Sequence, residues 1–129
     1  MFAKRKQRRH FKNRVQAVDE AIWDLSFQRE KLRMLREDVR KQYDRINEPS
    51  VMAQKKLEEE KNAEKSDKKM IENLEAVVAK YAPDLEQKAK QIEGLDNEIS
   101  GEGNPQSCES RIEGFRALKA MYLEYLCKL

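Results

Sequence analysis

Apolar residues recur along the first third of the chain in alternating steps of four and three: Phe11, Val15, Val18, Ile22, Leu25, Leu32, Val39, Tyr43 and Ile46. Arg29 and Arg36 occupy the two places in that series where an apolar residue is missing. Such spacing keeps the side chains on one narrow stripe of an α-helix, the pattern of a coiled-coil seam. A second segment keeps the same rhythm through Leu57, Glu60, Glu64, Asp67, Ile71, Leu74, Val78, Tyr81, Leu85, Lys88, Ile92, Leu95 and Ile99, although it is polar from 58 to 69. A third, about 107 to 129, carries Ile112, Phe115, Leu118, Met121, Tyr122, Tyr125, Leu126 and Leu129. Its stripe is wider than a two-stranded seam and suits a helix lying in the groove between two others.

Two clusters of breakers separate these segments. Asn47-Glu48-Pro49-Ser50 holds a proline that can open a helix but cannot continue one without losing a backbone hydrogen bond. Gly101-Glu102-Gly103-Asn104-Pro105 is the second, and Ser110-Arg111-Ile112-Glu113 after it matches a capping box. Folding the first segment on the second around Glu48 brings apolar positions level with one another, for example Ile22 with Leu74 and Leu25 with Ile71. The same register sets Arg29 opposite Asp67 and Arg36 opposite Glu60, so the four read as register-setting residues. Pro83 predicts a kink or a helix restart near 83.

The expected fold is therefore all-α, a long antiparallel helical hairpin with a third C-terminal helix packed back to make a three-helix bundle at one end. Its parts are a basic arm or helix extension over 1–10, a hairpin over 11–99 with its turn near 47–50, and a packing helix over 107–129. Composition agrees: 40% of the 129 residues are charged and 7% aromatic, with four Gly and three Pro. Such a chain favours long solvated helices over a thick globular core.

Charge adds a feature that periodicity does not show. The net charge is only +3, yet Lys4, Arg5, Lys6, Arg8, Arg9, Lys12 and Arg14 precede the first acid, Asp19, leaving the rest of the chain at −4. These seven are the candidate contacts to a nucleic acid or other anion. A basic stretch followed by Leu25, Leu32, Val39 and Ile46 superficially resembles a basic leucine zipper. The family's Asn and later basic residue are not reproduced, since Ala21 stands eight residues after Asn13, and the family is not assigned.

Trp23, Phe27 and Met34 fall off the seam, on helix positions that are polar in most coiled coils, and read either as a thicker local core or as a partner interface. Little points to catalysis. His10 is the one histidine and has no acid within eight residues; no phosphate-binding or dinucleotide glycine pattern occurs, so no catalytic residue, metal site or cofactor is expected. Cys108 and Cys127 lie about 28 Å apart if one helix holds both, too far to bridge. No apolar run is long enough to span a bilayer. Free thiols and the missing span suggest a reducing, cytoplasmic setting. The expected role is a non-enzymatic structural or adaptor protein that works through a protein partner or a homo-oligomer, with nucleic-acid association through the basic arm as the alternative.

Overall fold

A computed structural model describes residues 2–129, except for the side chain of Phe2; the Met1 end of the basic arm lies outside it. The fold is all-α, with 89% of the described residues helical. The helices are α1 (Phe2–Lys61), α2 (Lys68–Ser100) and α3 (Cys108–Lys128). The chain divides into two units, Leu35–Gly94 and a second made of residues up to Met34 together with Leu95–Leu129.

In the unit Leu35–Gly94, α1 and α2 pair antiparallel. Lys88 Nζ donates to Gln42 Oε1 at 2.8 Å, and Lys61 Nζ lies 3.4 Å from Glu75 Oε1. That register brings Ile46 level with Leu85, Ser50 with Tyr81, Ala53 with Val78 and Leu57 with Leu74. Ser50 and Ala53 are buried, at 1% and 7% exposure. Small residues there let the helices approach closely around Tyr81 and Val78.

The hairpin reverses over 62–67, not near 47–50, and Pro49 lies inside α1. Seam periodicity explains the correction. The four-three series runs without a slip from Ile46 through Ser50, Ala53, Leu57 and Glu60, and each of these is buried or half-buried. Burying that stripe against α2 outweighs the hydrogen bond and steric relief that Pro49 costs. Pro49 is itself solvent-exposed, where the freed carbonyl one turn earlier can be hydrated. The true reversal falls in the stretch that is polar on every face.

Carboxylates organise that turn. Asp67 caps α2, its Oδ1 accepting from the backbone N–H groups of Lys69 at 3.0 Å and Met70 at 3.3 Å. Glu60 Oε1 accepts from the Asp67 N–H at 2.8 Å. Glu60 and Asp67 therefore meet each other across the turn, and the pairings of Arg29 with Asp67 and Arg36 with Glu60 do not form. Moving the reversal toward the C-terminus removed the geometry that would have made them. α2 runs unbroken through Pro83, so no new helix starts there.

In the other unit, α3 packs back on α1, also antiparallel. Arg33 Nη2 lies 3.3 Å from Glu109 Oε1, Lys119 Nζ 2.7 Å from Asp19 Oδ1, and Arg8 Nη2 donates to the Leu129 carbonyl at 2.8 Å. Between these polar pairs Val18, Leu25 and Ile112 are buried, and Phe11 meets the rings of Tyr122 and Tyr125 at 6.0 and 5.4 Å. The cap of α3 is Ser107, which is fully buried and whose Oγ accepts from the Ser110 N–H at 3.2 Å. Ser110 itself lies inside the first turn, so the Ser110–Glu113 capping box is not used. Gly103, at φ 71°, supplies the left-handed residue of the 101–107 connection.

Two outcomes check this hairpin. Pro49→Ala should raise stability, by up to the roughly 3 kcal/mol that an interior proline costs, because it restores an intrahelical N–H; a turn at 47–50 would gain nothing from it. Asp67→Ala should cost about 1 kcal/mol through the lost cap, read by urea denaturation.

Candidate functional site

Apart from Asp67 in the turn, the residues singled out by sequence lie on α1, and α1's seam decides which face solvent. Positions facing α3 or α2 are spent on packing. What remains for binding is the opposite side of the helix, where Trp23, Phe27 and Met34 lie at 67%, 52% and 65% exposure. The thicker-core reading of Phe27 is therefore overturned, and α3 does not cover Trp23.

These side chains form an ordered surface. The rings of Trp23 and Phe27 stack at 5.8 Å with 2° between their planes, as residues one helical turn apart can. Lys31 Nζ sits 4.6 Å from the Phe27 ring centroid, a cation on a π face. Glu20, Asp24 and Glu30 are exposed on the same stretch of α1. Glu30 is shared with Arg33, 3.5 Å away.

The seven basic residues are all exposed and all on α1. Arg5, Arg8, Arg9 and Lys12 line a shallow concavity of about 340 Å³ together with Asn13. None of the seven pairs with a carboxylate among the described residues. The nearest acid in sequence, Asp19, is held by Lys119 of α3.

Arg29 stays on the seam in a half-buried position, and its Nε is buried with no hydrogen-bond partner in the structure. Arg36 is half-buried on the same stripe. Sequence reasoning missed Arg33, whose guanidinium joins Glu30 on its own helix to Glu109 on α3. No single-helix pattern signals such a residue, because its partner is set by the packing of α3. It also missed the exposed Met121, Leu123 and Tyr125 on α3, at 40%, 43% and 44%. Met121 and Tyr125 belong to the apolar stripe of α3, whose width exceeds what α1 alone covers.

No group of His, Cys, Asp and Glu suited to a metal ion occurs among the described residues, and none of their helices is long and apolar enough to cross a membrane. Cys108 is buried and Cys127 exposed, both on α3. No protein-family model, curated protein or solved structure matches this chain.

Arg29 gives a direct test of what its seam position contributes. Arg29→Leu should stabilise the protein by about 1 kcal/mol, by replacing a buried donor without a partner with a group that packs. A thermal melt showing a lower Tm would instead assign the guanidinium a net stabilising role.

Proposed function

We propose that this protein is a non-enzymatic structural or adaptor component that binds another protein through the outer face of α1. The observation that carries this reading is the exposed, stacked Trp23–Phe27 pair with Met34 beyond it, on the side of the helix that no other helix uses. Large aromatic and methionine side chains held rigidly on a helix present contact area at low entropic cost, the character of interface hot spots. Glu20, Asp24 and Glu30 beside them favour a partner segment with an apolar ridge flanked by Lys or Arg. Lys31 over Phe27 is an intramolecular instance of a cation meeting this surface.

The scaffold suits that role. Two helices pinned on α1 by interhelical ion pairs hold its seam side, so its outer face is presented with little freedom left to lose on binding.

A photo-crosslinking amino acid placed at position 27, in the cells that make the protein, tests the reading. The expected result is a discrete protein adduct that is absent when the crosslinker stands at exposed position 87 and is lost when Trp23→Asp is added. Equal labelling from both positions would overturn it.

A further inference from the structure

We infer that the outer face of α1 from Lys6 to Phe27 is a homodimer surface, on which a second copy of this chain lies antiparallel about a two-fold axis. The inference rests on the partner reading of Trp23 and Phe27, and names the partner.

A second line of heptad spacing runs along α1 on the side away from Phe11, Val18 and Leu25: Lys6, Arg9, Asn13, Gln16, Glu20, Trp23 and Phe27. Each is exposed. The two ends of this line have opposite character. Arg9 has Arg5 and Lys6 one turn before it and Lys12 one turn after it, and the first acid of the chain is Asp19. Glu20 and Asp24 lie one turn apart, and no side chain one turn to either side of them is cationic. Like charges at such spacing weaken a helix. Neither set is neutralised from elsewhere in the fold: among the described residues Arg5, Lys6, Arg9, Glu20 and Asp24 make no ion pair. The packing of α3 draws on other charges, taking Asp19 through Lys119 and Arg8 through the Leu129 carbonyl.

Antiparallel self-pairing joins the two ends. A two-fold axis across the pair keeps each flank of one helix beside the same flank of the other. Lys6 and Asp24 stand about five turns apart on one flank, and Arg5 and Trp23 stand likewise on the other. With the axis between Asn13 and Gln16, Lys6 of each copy meets Asp24 of the other, Arg9 meets Glu20, and Arg5 comes over the indole of Trp23. The amides of Asn13 and Gln16 meet at the centre. A shift by one heptad sets Glu20 level with Gln16 or with residue 2, and so removes its match with Arg9. The approach is open, because α3 lies on the seam side, where Phe11 meets Tyr122 and Tyr125. About 30 Å of helix face with a polar centre is a small interface, so the dimer is weak and loosens as salt rises.

Sedimentation equilibrium of the full chain at about 0.05 M and about 0.5 M salt tests the pairing. The wild-type chain is expected to dimerise, with a dissociation constant at least about tenfold higher at the higher salt. Lys6→Glu with Arg9→Glu, and separately Glu20→Lys with Asp24→Lys, should each abolish self-association, since every facing pair then carries like charge. An equimolar mixture of these two variants restores every ion pair and should sediment as a dimer, a recovery that misfolded chains do not show. The adduct formed by a crosslinker at position 27 should have twice the mass of the chain. A wild-type chain that stays monomeric at low salt overturns the proposal, as does a mixture that stays monomeric. A position-27 adduct of any other mass overturns the second copy while leaving the partner surface standing, whereas equal labelling from positions 27 and 87 removes both.

Discussion

Everything in this protein hangs on one unbroken heptad stripe along α1. From Phe11 to Glu60 each seam position is buried or half-buried and the positions between them are mostly exposed. Such a stripe cannot be satisfied in isolation: a helix this long and this charged has one apolar line, and water on that line opposes folding. The chain covers it with its own C-terminal half, α2 in one unit and α3 in the other, both antiparallel to α1. Because only a line is covered, most of the surface of each helix stays in solvent.

The same constraint explains which sequence signals could be trusted. Helix class, the seam itself and the break at 101–105 were legible, since each follows from spacing or from glycine and proline together. The reversal does not follow Pro49, a local breaker, because the continuous seam from Ile46 to Glu60 packs on α2 and outweighs it. The actual turn contains neither glycine nor proline. Its mark is the polar seam at Glu60, Glu64 and Asp67, which continues the heptad rhythm without an apolar residue. Once the reversal moves by some sixteen residues, every facing pair changes, and the apparent complementarity of Arg29 and Arg36 with Asp67 and Glu60 is seen to be a coincidence of periodicity. A heptad repeat matches itself at many registers, so charge matching alone discriminates poorly among them.

Candidate surfaces were more legible than the register because they depend on which face of one helix a residue occupies. Trp23, Phe27 and Met34 needed only the phase of α1 to be placed opposite the seam, and the basic residues needed only their number. What sequence could not supply was the use of Asp19 by Lys119 and of Glu109 by Arg33. Those pairings depend on how α3 slides along α1. They determine which charges remain available at the N-terminus and which side chains fix the third helix, and no spacing within a single helix encodes them.

Trp23 is the only tryptophan in the chain. Since it stacks on Phe27 at the surface and not in either packed stripe, the tryptophan emission of the molecule originates at one solvent-facing spot. That emission follows the surroundings of the outer face of α1 near Trp23, and it is comparatively blind to whether the hairpin between Leu35 and Gly94 is closed.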